Sequence, residues 1–491
     1  MRSTSSWLRA LVGALLFGCA IRLGTPRAPE LRWFKGNTHA HTLWSDGTRA
    51  PELVTSWYRE HGYDFLVLSD HNVLSEGERW VPVSEQGPLA PGQVAEIEQR
   101  FGAGSVELRP SDGGEEMRLR TLPELRALFE SRGEFLMIQG EEVTDVAGDL
   151  PVHVNGLNLA ELVPPRGGAS PREAMQRDVD AVLEQGRRLR RTVLAHVNHP
   201  NFHFALTWED VASLSGERFF EVYNGHAAVQ NRGDASHPST EELWDRALVK
   251  RLTELDLGLL YALATDDTHQ APGGEVSPPG RGWIVVRARE LSAEALLDAM
   301  RRGSFYASTG VEVADFGLDD GTYHVEVRSR EGERCTIRFI GARAAVAGAR
   351  RTAAGGAAPG EVLAESTGPR ASYRLRGDEI YVRAVVLSDL PLAADPADVE
   401  RAWCQPVLGP AAARVAERRG RVEPPAPHGP IPSARQLAWH ELEFTASCTS
   451  RSTPSPTASG ARATSPPSSS SRPISTRTRS WACSPTPACA R

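Results

Sequence analysis

Short apolar runs that end in histidines and carboxylates recur along this chain, and their alternation with helical patterns restricts the fold more than any other feature. Trp33 to Thr38 leads into His39-Ala40-His41 and then Ser45-Asp46-Gly47, and Phe65 to Leu68 delivers Ser69-Asp70-His71. Phe135 to Ile138 precedes Gly140-Glu141-Glu142, and Thr192 to Ala195 runs into His196 and His199-Pro200-Asn201. Phe219 to Tyr223 ends at Asn224-Gly225-His226, and Leu259 to Ala264 ends at Asp267-Thr268-His269. Each run reads as a buried strand with polar residues at its C-terminal end, where α/β barrels build their chemistry.

Helical patterns fill the gaps: Pro51 to His61, Pro123 to Ser131, Arg172 to Arg190, Thr240 to Leu255, and Ala293 to Arg302 after a strand at Trp283 to Val286. Alternating strands and helices predict parallel βαβ units. About six or seven such units fit an α/β barrel better than an open sheet, and no Gly-rich dinucleotide fingerprint is present. Residues 79–120 break the rhythm, with a hairpin expected around Ser111-Asp112-Gly113-Gly114. From Ala314 strands continue without helices, at Tyr323 to Val327, Cys335 to Phe339, Ser372 to Leu375 and Ile380 to Val386. The expected organisation is a barrel over 31–313, a small sandwich-like β-domain over 314–408, and a tail over 409–491. The tail is rich in Pro, Ser, Thr, Ala and Arg; it is expected to be disordered, or to be an out-of-frame reading of a GC-rich gene.

Residues 1–21 resemble an export signal: Arg2 and Arg9, then apolar Leu11 to Phe17, then Gly18-Cys19-Ala20. The expectation is an exported protein, periplasmic, secreted or attached to the cell envelope, with Cys19 a candidate lipid anchor. Cys335 and Cys404 are candidates for a disulfide in an oxidising compartment. The net charge of -7 offers no basic face for nucleic acid, so a small-molecule substrate is favoured.

Eleven of the 14 histidines fall within the first 270 residues or so, and that skew marks a site. In an extended strand residues i and i+2 share a face, so His39 with His41, and Asp267 with His269, can each grip one ion. Imidazoles mixed with carboxylates suit zinc, manganese or iron. His39, His41, Asp46, His71, Glu142, His199, Asp267 and His269 exceed what one ion needs, so two or three divalent ions are expected. Such ions generate a hydroxide nucleophile at neutral pH and clamp the attacked and departing oxygens, which suits hydrolysis of a phosphate ester or of a carboxylester, carbamate or amide. Glu141 competes with Glu142, Asp266 with Asp267, and His196 with His199. His153 is either a ligand or structural, and Asn224 and His226 are either substrate contacts or structural. Asp70 is expected to orient a ligand, whereas His61, His203 and His237 read as loop histidines.

His39-Ala40-His41-Thr42, Ser45-Asp46-Gly47, Leu68-Ser69-Asp70-His71-Asn72, Gly140-Glu141-Glu142-Val143-Thr144, His199-Pro200 and Asp267-Thr268-His269 together resemble the polymerase-and-histidinol-phosphatase (PHP) superfamily. Trp33-Phe34-Lys35-Gly36-Asn37, Glu221-Val222-Tyr223-Asn224-Gly225-His226, Phe305-Tyr306-Ala307-Ser308-Thr309-Gly310 and Ala402-Trp403-Cys404-Gln405-Pro406 resemble its carbaryl-hydrolase-like (CehA/McbA-like) branch. The resemblance implies a distorted (β/α)7 barrel and a metal-dependent hydrolase, with phosphoester hydrolysis favoured by the superfamily and ester or carbamate hydrolysis by the branch. It implies that His39, His41 and Asp267 hold one ion and Asp46, His71 and His199 a second, with Glu142 bridging. His269 would complete the cluster and His153 would serve a third ion. Glu142, Asp267 and His269 are the catalytic candidates. A metal-loaded surface binding module is the alternative of another class.

Overall fold

The computed structural model describes residues 30–271, 273–274, 276–344 and 358–412. The expected export signal with Cys19, and the expected tail from residue 413 onward, lie outside the described residues.

In chain order the first half comprises β1 (Arg32–Asn37), α1 (Pro51–Glu60), β2 (Phe65–Leu68), β3 (Trp80–Val83), α2 (Pro91–Phe101), β4 (Leu108–Ser111), β5 (Gly114–Arg118), α3 (Leu122–Phe129), β6 (Leu136–Ala147), β7 (Leu150–Leu157), α4 (Pro171–Leu189), β8 (Leu194–Val197), α5 (Trp208–Ser213), β9 (Phe219–Asn224) and α6 (Thr240–Lys250). A π-helical turn, Arg251–Leu255, extends α6. Then follow β10 (Tyr261–Thr265), β11 (Trp283–Ala288), α7 (Ala293–Arg301), β12 (Phe305–Ser308), β13 (Val313–Asp319), β14 (Thr322–Val327), β15 (Cys335–Arg343), β16 (Glu361–Thr367), β17 (Arg370–Arg374), β18 (Glu379–Leu392) and β19 (Asp395–Leu408). The fold is mixed α/β around one large sheet in the order β10-β9-β8-β7-β6-β2-β1-β11-β12-β19-β18-β15-β16.

Seven strands at one end of this order carry the histidine and acid motifs. Beyond their ends β1 and β10 meet: Ala40 and Thr268 form a parallel bridge. His41 N donates to Thr268 O at 2.9 Å, and Asp267 N donates to His39 O at 3.0 Å. Motifs more than 220 residues apart thereby become neighbours, and Leu66, Val67, Phe220, Ala262 and Leu263 behind them are buried.

The all-parallel expectation is corrected. β6 pairs antiparallel with β7, and β7 antiparallel with β8. β7 escaped notice because the chain reverses through Gly148-Asp149 alone, with Gly148 at a φ of 65° that favours glycine. The insertion at 79–120 holds more than a hairpin: β3 joins β5 and β4 in a three-stranded sheet, and α2 packs Ile97 beneath it.

After Ala314 the strands remain hydrogen-bonded to the large sheet, because β12 pairs with β19 through Tyr306–Cys404 and Ala307–Trp403. A separate sheet, β13-β14-β17, lies over this end, and Phe316, Tyr323 and Val325 share a core with Tyr306, Ile337, Phe339 and Val382. Cys335 and Cys404 are both free, which corrects the disulfide expectation. They sit on β15 and β19 with β18 between them, opposite Ser388 and Ala384 respectively. Two strand spacings, about 10 Å, exceed disulfide reach.

α6 is fastened to β18 by a buried two-pronged ion pair: Arg383 Nε and Nη2 each lie 2.7 Å from an Asp245 oxygen, and Tyr381 Oη donates to Asp245 at 2.7 Å.

Candidate metal centre

The backbone sends the two members of each competing pair to different sides, by strand alternation at Glu141 and Glu142 in β6 and by the turns beyond β8 and β10 at the other two pairs. Glu141 points outward, where its carboxylate accepts from Val163 N at 2.8 Å, while Glu142 points into the cluster. Asp266 turns away to accept from Tyr58 Oη and from the backbone N–H groups of Gly280, Arg281 and Gly282. Asp267 faces the histidines. His196 is fully buried, 3.9 Å from Glu221 Oε1, and burial drives its pKa down to about 4, so it is neutral. His199 presents Nε2 to Glu142 Oε1 at 3.3 Å.

Glu142 is the hub. It is 1% exposed, and five imidazoles surround its carboxylate: His39, His41 and His199 at 3.3 Å, His153 at 3.0 Å and His71 at 2.8 Å. Asn198 Nδ2 donates to Oε1 at 2.7 Å, whereas Oε2 is left to the imidazoles of His71 at 2.8 Å and His41 at 3.3 Å without a hydrogen bond of full geometry. A buried carboxylate oxygen without full hydrogen bonding is costly unless a cation satisfies it.

The candidate ligands form four overlapping groups whose donor atoms lie within 4.8 Å of one another: His39, His41 and Asp267; His39, Glu142 and His199; His71, Glu142 and His153; and His41, Asp46, His71 and His269. In the first, His39 Nε2 and His41 Nε2 lie 3.0 Å apart, and Asp267 Oδ1 is 3.3 and 3.2 Å from them. Donors about 2.0–2.1 Å from one zinc ion are separated by about 3.3 Å at a tetrahedral angle, so this triangle fits a single cation.

Of the implied grouping of Asp46, His71 and His199, the structure brings the first two together and sets His199 beside His39 and Glu142. Asp46 lies 3.5 Å from His71 and 3.3 Å from His269. The loop after β1 folds back on itself, and a Cβ on Gly47 would come within 2.7 Å of the Thr42 backbone. That turn keeps Asp46 at the exposed edge, its side chain 58% exposed, whereas His199 is buried.

Sequence reasoning quoted Glu221 without giving it a role. The structure places it under the centre: Oε1 lies 2.7 Å from His39 Nδ1 and accepts from Thr265 Oγ1, and Oε2 accepts from His199 N and Asn224 Nδ2 at 2.8 Å. An acid inside the apolar run Phe219 to Tyr223 was the available signal. Asn224 is buried and donates to Asp267 at 3.1 Å, so it supports that ligand. His226 is half-buried at the edge, 5.5 Å from His269 between ring centres. Asp70 accepts from Thr42 N, Thr42 Oγ1 and Ser45 Oγ, so it braces the loop bearing Asp46. Lys35 is held between the rings of Tyr63 and Trp283. His61 stacks on Trp57 and His237 on Phe204, while His203 is exposed.

Burial opposes every charge here, yet the charges win at most positions. Against burial, Asp267, Glu142 and Glu221 hold the His39 pKa well above its ordinary value, and Glu142 and Asp46 lift His71 to about 11. Likewise the imidazoles hold Glu142 and Asp267 well below the usual carboxylate range. At His153 burial prevails and its pKa falls. Such a set takes either protons or a cation. The backbone is strained here too, with φ of 50° at Asp267 and 23° at His199.

No protein-family model and no curated protein matches this chain. Among solved structures, it is similar to a two-domain protein of Bacteroides vulgatus ATCC 8482 that contains a predicted PHP-like metal-dependent phosphoesterase. The TM-score is 0.33 at 14% identity, covering 77% of this chain and 97% of that one. A protein of Bifidobacterium adolescentis ATCC 15703, provisionally assigned as a metal-dependent phosphoesterase, aligns with TM-score 0.26 at 12% identity over 52% of this chain and 94% of its own. An amidohydrolase of Chromobacterium violaceum, solved with bound sulfate and no metal, gives TM-score 0.23 at 16% identity over 50% and 92%. Likenesses this distant transfer neither activity nor site residues.

Proposed function

We propose that this protein is a metal-dependent hydrolase on a distorted seven-stranded barrel of the PHP type, in its carbaryl-hydrolase-like branch, with phosphoester hydrolysis the favoured reaction. The observation that carries the reading is Glu142, a buried carboxylate at the centre of five imidazoles. The donors are all nitrogen and oxygen, which suits manganese, zinc or iron. His39, His41 and Asp267 would hold one ion and Asp46, His71 and His269 another, with Glu142 shared between them and His153 and His199 available to a third. When bound, such ions supply an activated water for attack and Lewis acidity toward the departing oxygen.

The chain's own residues then orient and exclude. Glu221 holds the His39 ring so that Nε2 faces Glu142 and Asp267, and Asn198 fixes Glu142. His39 and His41 are closed to solvent, so water and substrate reach the centre from the side of Asp46, His71 and His269. Glu142, Asp267 and His269 line the reacting volume as its acid–base groups.

Carboxylester or carbamate hydrolysis is the second reading. It is favoured by the resemblance to the carbaryl-hydrolase-like branch, and Lys35, the basic residue of the β1 motif, is engaged by Tyr63 and Trp283. Residues 1–21 support export, and Cys19 a lipid anchor.

The test is turnover of p-nitrophenyl phosphate, a phosphodiester and acyl esters by protein reconstituted with Mn or Zn. Metal-dependent turnover of at least one class is expected. Silence on every class with metal bound would replace the hydrolase with a metal-loaded binding module.

A further inference from the structure

We propose that Phe202 is the specificity-determining residue of this centre and that it seats a flat apolar group of the substrate beside the bond to be cleaved. The inference rests on the hydrolase reading for its chemistry, but its geometry is independent.

Phe202 is half-buried and packs against the His153, His199 and His226 rings of the cluster and its flank. Its ring centre lies 5.1 Å from His199, 6.3 Å from His153 and 6.2 Å from His226. The His199 and His226 rings meet it edge-on, at 65° and 88°. His153 and His199 belong to the ligand groups and His226 flanks His269, so a ligand on the accessible side of the cluster meets an aromatic wall.

The backbone holds that ring in place at a conformational cost. His203 and Phe204 both adopt a φ of 52°, two successive left-handed residues without glycine, and His199 begins the turn at 23°. Such residues persist only where their surroundings enforce them. Here Asn201 Nδ2 donates to Gln230 O and Pro238 O at 2.9 and 3.0 Å, and Phe204 stacks on His237 with ring centres 3.9 Å apart. Phe202 itself bridges to Val229, and its N–H donates to His199 O at 2.8 Å. Two loops are therefore tied together around one aromatic ring beside a ligand. A pre-placed aromatic of this kind binds planar apolar groups, for which offset stacking and burial act together.

The test compares binding of phenylphosphonate and methylphosphonate to the full-length, Mn-loaded protein by calorimetry. Neither probe is hydrolysed, so the result does not depend on turnover. The wild type is expected to prefer phenylphosphonate at least tenfold. Phe202→Ala should remove most of that preference while metal stoichiometry and methylphosphonate affinity stay within about threefold, and Phe202→Tyr should retain it. Phenyl and ethyl phosphate then report the split in turnover: Phe202→Ala should raise KM for the phenyl substrate with little change in kcat, as expected for lost uniform binding. An unaltered phenyl-to-methyl ratio in Phe202→Ala, or failure of the wild type to discriminate, would overturn the proposal. Discrimination without turnover of either phosphate would leave Phe202 in its role and count against the phosphoesterase alone.

Discussion

The Glu221 carboxylate lies 2.7 Å from His39 Nδ1, with both groups closed to solvent. This pair fixes the ring so that Nε2, the other nitrogen, points at Glu142 and Asp267. Support of this kind is typically worth about 10–100-fold in metal affinity. Glu221→Gln should keep the fold, shown by an unchanged circular dichroism spectrum, and weaken metal binding by roughly that factor in a chelator competition. Affinity equal to that of the wild type would show that Glu221 does not orient the ligand.

Removing the ions should destabilise the protein. The unfolded chain keeps no preformed cluster, so stabilisation scales as RT ln(1 + [L]/Kd), about 2.7 kcal/mol at a hundredfold excess over Kd. Chelation should lower Tm by several degrees and abolish turnover, and Mn or Zn should restore both. Glu142→Gln and Asp267→Ala should lose metal stoichiometry and activity together, since their oxygens join the groups of donors.

Buried Asp178 gives a pH dependence away from the metal ligands. Burial first, and then the Asp145 carboxylate, push its pKa up to about 7, while its Oδ1 accepts from Arg166 N at 2.9 Å. The unfolded chain ionises Asp178 near 3.9, so the folded form binds the extra proton between those values, and stability falls as pH rises from about 4 to 7. Asp178→Asn keeps the amide acceptor and removes the titration. Its stability should exceed that of the wild type at pH 8 by on the order of 4 kcal/mol, about three pKa units, read as a higher Tm, and the difference should vanish near pH 4. Equal Tm values at pH 8 would mean that Asp178 ionises without penalty.

Arg383 and Asp245 join β18 to α6 by two hydrogen bonds with both side chains buried. Arg383→Ala would strand the Asp245 charge and should cost about 3–5 kcal/mol in chemical denaturation. Arg383→Met with Asp245→Leu should recover much of that loss, because the paired deletion leaves no buried charge behind.

Much of the centre is written in local patterns. The i, i+2 spacing of His39 and His41 puts both rings on one face, and alternation puts Glu141 and Glu142 on opposite faces. Those follow from strand geometry, which a sequence states directly. β7 was invisible because a two-residue reversal leaves little trace between two apolar strands, and α2 because its buried face is only Gln93 and Ile97. Glu221 was visible as an acid in an apolar strand, but its partner His39 lies 182 residues away.

The sequence by itself determined which side chains carry nitrogen and oxygen donors and which strand ends bear them, because these depend on neighbours within a few residues. Tertiary structure alone decided how the donors are shared. Asp46 joins His41, His71 and His269, while His199 joins Glu142, because the Ala40–Thr268 bridge and the fold of the Gly47 loop set distances across hundreds of residues. Spacing along a chain carries no information about such distances; only the closing of the strands fixes them.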